Sequence, residues 1–249
     1  MRSELIKFSN GLFVYVLFFF SASTTFAQAA INPTASSKTS WIRIFDGKTL
    51  KGWKAPDMSY FSVEDGAITG TTTKEHNPPY NQFMVWQGGE VGDFELKFKF
   101  RIFGAKANSG MQFRSQVRDN GLVWGYQADI ATTGPYLGGI WDEYGTRKSL
   151  AARGQKSVID ESGKKTTVEE NKPDSILGKI NLEEWNEYYI SAIGSRIILK
   201  INGKKTAELD DREAMKSAAS GVLAMPIIPG EPMKVQYKEI KLKRFLKLN

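Results

Sequence analysis

The densest concentration of polar and aromatic side chains runs from Asn108 to Arg147. Within it, Asn120-Gly121 is a turn dipeptide of the kind that type I′ hairpins require, since both central residues take positive φ. Read as a two-residue loop, it sets Gln112 opposite Asp129 and Arg114 opposite Gln127. Opposed residues share a face of a sheet, and side chains alternate along each strand. Gln112, Arg114, Gln127 and Asp129 are therefore expected to project together, with Met111, Phe113, Ala128 and Ile130 turned towards a core. Amides, a carboxylate and a guanidinium fork suit a ligand rich in hydroxyls. Trp124, Tyr126, Tyr136, Trp141 and Tyr144 add apolar faces on which a pyranose ring can lie. The segment Gly138-Gly-Ile-Trp-Asp-Glu-Tyr-Gly145 sets Asp142 and Glu143 among aromatics in a glycine-flanked turn. Asn108 and Arg147, at the two ends of the region, complete the candidate binding set. A plainer account makes Arg114–Asp129 a cross-strand ion pair on a solvated face, and Asp142 and Glu143 an exposed acidic turn.

Other chemistries are closed off by composition. The 249 residues contain no cysteine and one histidine, His76, so neither a thiolate nor a cluster of imidazoles is available for zinc. A Ser-His-Asp triad would have to use His76, and no G-x-S-x-G elbow accompanies it. His76 lies in a polar loop, Thr71 to Tyr80, either as an ordinary surface residue or as a rim imidazole able to move a proton near neutral pH. No cofactor is expected. Asp129, Asp142 and Glu143 carry the oxygen ligands that a divalent cation such as calcium takes, without a spacing that specifies its geometry. The net charge of +7 raises anionic partners, but the lysines are dispersed and no nucleic-acid motif accompanies them. The basic balance is read as a solvated surface, with no nucleic-acid partner.

These groups must be held by a scaffold, and its elements read as strands. Short alternating segments recur at 41–45, 60–64, 67–71, 82–86, 94–103, 110–116, 123–130, 187–193, 196–201, 204–209, 221–224 and 235–245, with turn signals between them. Phe94 to Ile102 alternates without a break, apolar on one side and charged on the other. Only Asp211 to Ser217 looks helical. Many strands and scarcely any helix predict an all-β sandwich. Residues 146–181 are polar and poor in aromatics, and are expected as a long surface excursion or lid. At the amino terminus, Arg2 and Lys7 precede an apolar run from Gly11 to Phe20 and then small residues to Ala27, the order of a secretory signal peptide. The expected organisation is a signal and short leader at 1–29, then a single sandwich domain at 30–249 with a polar insertion at 146–181. The protein is expected to be periplasmic or secreted, without stable membrane insertion in its mature form.

Seven segments carry a resemblance to a known family. They are Phe45-Asp-Gly-Lys-Thr-Leu-Lys-Gly-Trp53, Phe61-Ser-Val-Glu-Asp-Gly-Ala-Ile-Thr-Gly70, Gly92-Asp-Phe-Glu-Leu96, Ala107-Asn-Ser-Gly-Met-Gln-Phe-Arg114, Gly125-Tyr-Gln-Ala-Asp-Ile130, Glu184-Trp-Asn186 and Ile201-Asn-Gly203. In order and spacing the chain resembles the 3-keto-disaccharide hydrolase domain family over residues 42–246. The resemblance implies a concanavalin A-like jelly-roll sandwich that acts on glycosides whose sugar is oxidised at C3. A 3-keto group acidifies the C2 hydrogen, so a base can remove it and the C1 oxygen can leave by elimination, with water adding afterwards. Chemistry assigns Asp129 or Glu143 as the base, Arg114 with Gln112 or Gln127 as the support of the developing oxyanion, and His76 as an acid. The alternatives are a lectin-like glycan-binding module and, less favoured, a conventional glucanase. The glucanase reading lacks the paired carboxylate strand motif that a retaining mechanism uses.

Overall fold

A computed structural model describes residues 40–173, 175, 178 and 180–245. The leader expected at 1–29 lies outside these residues. Seventeen strands occur among them, joined by turns and one short 3-10 turn at Met58–Tyr60. The first six are β1 (Ile42–Arg43), β2 (Trp53–Lys54), β3 (Phe61–Glu64), β4 (Ala67–Thr72), β5 (Gln82–Trp86) and β6 (Asp93–Phe103). The next six are β7 (Asn108–Val117), β8 (Val123–Ala131), β9 (Ile140–Glu143), β10 (Lys148–Ala151), β11 (Gln155–Ile159) and β12 (Lys165–Glu169). The last are β13 (Asn186–Ile193), β14 (Arg196–Ile201), β15 (Lys204–Asp211), β16 (Val222–Ile227) and β17 (Met233–Phe245).

Two sheets form a sandwich, as the alternation of the sequence predicts. The larger has ten strands in the order β12-β11-β15-β14-β13-β6-β17-β4-β3, with β1 paired beside β17. The smaller has seven, β10-β9-β8-β7-β16-β5-β2. In β6, Phe94, Leu96, Phe98, Phe100 and Ile102 are buried, while Lys97, Lys99 and Arg101 between them face outwards. The inner row of the smaller sheet, including Met84, Met111, Phe113, Ala128, Ile130, Ile140 and Met225, meets them in one core. Burying such side chains contributes about 1.5–3 kcal/mol each, and this core holds the sandwich without any disulfide. The outer row of the smaller sheet is different. Phe83, Val123 and Ala224 form a satellite cluster there, beside a row of polar residues.

Two expectations about elements are corrected. Asp211 to Ser217 is not a helix: β15 runs on to Asp211, and a single turn follows in which the Ser217 backbone N–H and hydroxyl both reach the Glu213 carbonyl. The stretch expected as a loop excursion carries β10, β11 and β12. β10 extends the smaller sheet, and β11 joins the larger one parallel to β15, with Ser157 opposite Leu209. All five residues of the edge strand β12 are exposed, so this strand has no apolar row to announce it. Its lysine and glutamate suit an unpaired sheet edge. Gly154 closes the segment: its φ is +90°, and a Cβ there would stand 2.4 Å from the Asn171 carbonyl oxygen. Among the described residues no helix is long and apolar enough to cross a membrane.

Candidate active site

The β7–β8 hairpin positions the site, and its turn differs from the two-residue loop expected. Arg118 accepts at its carbonyl from the Gly121 N–H and donates from its own N–H to Leu122, each at 2.8 Å. The loop is therefore Asp119-Asn120-Gly121, with Gly121 supplying the left-handed residue at φ +78°. A bulge between Phe113 and Gln116 shifts the register once more. Gln112 consequently stands opposite Gln127, and Gly110, not Gln112, stands opposite Asp129.

The bulge decides the fate of Arg114. With φ at +47°, Arg114 leaves the outer row and its guanidinium crosses to the larger sheet. Nε donates to the Gly92 carbonyl at 2.9 Å, Nη1 to Gly194 at 2.7 Å, and Nη2 to Ala192 at 3.0 Å and the Asp93 carboxylate at 2.8 Å. Arg114 thus clamps the two sheets together at one end, and it does not share a face with Asp129. Ser115 takes the outward slot instead. Its hydroxyl donates to Gln112 Oε1 at 2.6 Å, Gln112 Nε2 donates to Gln127 Oε1 at 3.1 Å, and Gln127 Nε2 donates to Asp129 Oδ1 at 2.8 Å. This chain orients every amide in turn and ends with a fixed donor on the carboxyl group. Gly110 makes room for it, because a Cβ there would lie 2.8 Å from Gln127 Cγ.

Asp129 lines a cavity of about 280 Å³ on the outer face of the smaller sheet. Asn81, Asn108, Gln127, Tyr136, Trp141, Glu143 and Ile228 complete its wall. Trp141 stands opposite Gln127 in the β8–β9 pairing, and Tyr136 meets its ring edge-on at 5.8 Å. Glu143 accepts from Asn81 Nδ2 at 3.0 Å. Burial pushes the Asp129 carboxyl well above its ordinary range; the Gln127 hydrogen bond pulls the other way, and the charge of Glu143 pushes it further up. Burial also raises Glu143, against the Asn81 hydrogen bond and the charge of Lys148. Two carboxyl groups on neighbouring strands thus face one cavity, Asp129 more deeply buried than Glu143 and both raised by that burial. Such pairs separate into an acid and a base. The amide of Asn108 reaches the same wall, with its Oδ1 buried and without a hydrogen-bond partner.

Several expected site residues lie elsewhere. Tyr126 turns into the core, stacked on Phe113 at 5.6 Å, with its hydroxyl on Asp211 at 2.5 Å. Asp142 and Arg147 belong to a buried ionic cluster: Arg147 reaches Asp142 at 3.2 Å, Asp211 at 2.6 Å and Glu213 at 3.3 Å. Asp142 neighbours Tyr126 in the β8–β9 pairing and so faces away from Asp129 and Glu143, so the three do not converge as the oxygen site considered for a cation. Among the described residues no three His, Asp or Glu side chains gather as a metal site. His76 is exposed, stacked on Tyr60 at 4.1 Å and hydrogen-bonded to Ser59 Oγ at 3.0 Å, and it does not line the cavity. Trp124 and Tyr144 stack on each other at 5.7 Å and line a second, larger cavity. Asn81, Ser115 and Ile228 were not anticipated. For Asn81 a signal existed: it stands two positions before Phe83, on the outward parity of β5.

Fold and site together define a β-sandwich with an acid-lined, aromatic-walled cavity on one sheet, suited to a sugar ring. Residues 40–243 match the 3-keto-alpha-glucoside-1,2-lyase-like domain, and the chain belongs to that family. It is a jelly-roll module of a carbohydrate-acting family. No curated protein sequence matches it. Among solved structures, a Parabacteroides distasonis protein provisionally described as a glycosyl hydrolase is 20% identical, with a TM-score of 0.53 over 83% of this chain and 94% of that one. The carbohydrate-binding module CBM66 of Bacillus subtilis is 10% identical, with a TM-score of 0.51 over 77% of this chain and 95% of that one. A Bacillus subtilis protein of galectin-like fold is 9% identical, with a TM-score of 0.50 over 78% and 90%. At these identities the likeness concerns the fold.

Proposed function

We propose that the protein cleaves 3-keto-glycosides by elimination across C1 and C2, with Glu143 as base and Asp129 as acid. The observation that carries this reading is the pair of unequally buried carboxyl groups facing one sugar-sized cavity. Ionised Glu143 takes the C2 hydrogen that the neighbouring ketone has made acidic. The electron pair passes to the C3 oxygen as an enolate, and its return expels the C1 oxygen and leaves a C1–C2 double bond. Protonated Asp129 supplies a proton to the departing oxygen. Water adding across the double bond completes a net hydrolysis. Asn108 takes the enolate-supporting place expected of Arg114, since its amide lines the cavity and Arg114 is engaged elsewhere. Trp141 and Tyr136 offer the ring an apolar wall. The basic, apolar and small-residue order of 1–29 supports export to the periplasm or beyond.

The test is incubation with a 3-keto-glucoside and with the same glucoside unoxidised, following aglycone release and exchange of the C2 hydrogen in deuterated water. Release should be confined to the keto form. Glu143→Gln should lose turnover and exchange together, by about 10²–10⁴-fold, as expected for removal of a general base. Release from the unoxidised glucoside would favour a glucanase. Tight binding of the keto form without release would favour a glycan-binding module.

A further inference from the structure

We propose that the second cavity, beside Glu143, is the site of the leaving group, and that it is built for a planar aromatic aglycone rather than a second sugar. This rests on the elimination reading above. The cavity measures about 610 Å³ and shares Glu143 with the smaller one. The two adjoin where β8 has no side chain: Gly125 stands opposite Glu143, on the same outward row as Gln127 and Asp129. A Cβ at Gly125 would come within 2.7 Å of Ser115 Oγ. A bond cleaved at Glu143 therefore has its sugar on the Asp129 side and its departing group on the Trp124 side.

The wall of the larger cavity argues for the chemistry of that group. A sugar is ordered by convergent hydrogen-bonding groups. Here four of the polar groups are already engaged. Arg114 is held by the larger sheet, Asp142 by Arg147, and Lys216 by Glu213 at 3.0 Å. Ser220 donates to Glu90 at 2.9 Å. The uncovered lining comprises the polar side chains of Gln116, Arg118 and Thr146 and two large apolar ones, Trp124, 40% exposed, and Met215, 91% exposed. Trp124 is backed by Tyr144, which meets Phe83 in turn at 6.3 Å, so its indole is a braced surface. The Arg118 guanidinium lies 5.5 Å from the Trp124 ring and adds a cation at the rim. Aromatic faces, a thioether and a guanidinium are the partners that a flat ring selects.

The experiment compares 3-keto-glucosides carrying 4-nitrophenyl, methyl or glucosyl at C1, in the wild type, Trp124→Ala and Met215→Ala. Equilibrium dialysis with free 4-nitrophenol measures binding of the departing group directly. The ratio of kcat/KM for the aryl over the methyl substrate should fall about tenfold in Trp124→Ala and severalfold in Met215→Ala, with nitrophenol binding weakened in parallel. Equal losses on all three substrates, or a glucosyl loss as large as the aryl loss, would overturn the proposal. If the wild type turns over no keto-glucoside, the elimination reading fails, and dialysis alone judges the cavity. Nitrophenol binding lost in Trp124→Ala then upholds an aromatic site, and no binding removes it.

Discussion

Arg114→Ala should be a stability mutation rather than a catalytic one. The guanidinium is 2% exposed and holds the carbonyls of Gly92, Ala192 and Gly194 and the Asp93 carboxylate, all at one end of the larger sheet's central pair, where β6 starts beside the end of β13. Removing one partner of a buried ion pair costs about 3–5 kcal/mol, because the remaining charge loses its compensation. Asp93 is 16% exposed and keeps the Gly194 N–H at 2.9 Å, so the lower end, about 3 kcal/mol, applies. For a domain of this size each kcal/mol moves Tm by roughly 2–4 °C, giving a fall of roughly 6–12 °C. Arg114→Lys should recover only part of it, since one ammonium cannot reproduce the fork. Thermal and urea unfolding measure the loss, and turnover of a 3-keto-glucoside is followed well below the lowered Tm. Folded Arg114→Ala should retain turnover within about threefold, the signature of a residue that makes no transition-state contact. An unchanged Tm together with a loss of about a hundredfold in kcat would return Arg114 to the cleft and refute the clamp.

Asp129→Asn should abolish turnover and also change how stability follows pH. The folded-state pKa of Asp129 lies above its unfolded value of about 3.9. The stability this group contributes is therefore complete below that value and is lost as pH rises through the folded pKa. The difference in Tm between wild type and Asp129→Asn should move in favour of the variant from pH 4 upwards, as measured by scanning calorimetry. Parallel curves would show that Asp129 is not shielded as described. His76→Ala should lose only the Tyr60 stack and the Ser59 hydrogen bond, costing about 1 kcal/mol or less at an exposed position. Its turnover should stay within about twofold; a tenfold loss would bring the imidazole back into the chemistry.

The sequence carried most of the scaffold because alternation is a local signal. β5 and β14 coincide with the segments read from residue types, and β6, β8 and β13 differ by a residue or so at their ends. β12 escaped because an exposed edge strand has no buried row to reveal it. The parity of a single strand places Gln127 and Asp129 on one face, and Gln112 joins them because its strand is regular up to Phe113. Arg114 could not be assigned in this way. One bulged residue reverses every later side chain in a strand, and nothing in Phe113-Arg-Ser-Gln116 marks the bulge.

The amino-acid sequence by itself determined an all-β sandwich, a chemistry restricted to carboxyl, amide, aromatic and guanidinium groups with one imidazole, and the row that bears Gln127 and Asp129. The tertiary structure alone decided which charges face the cavity and which are struts. Asp129 and Glu143 meet over a cavity closed by Asn81, a residue 62 positions from Glu143, whereas Asp142, beside Glu143 in the chain, is turned to Arg147. Neighbours along a strand point to opposite sides of the sheet, and partners across it come from distant segments. Residue types therefore announce the chemistry available, while register and packing choose the groups that carry it.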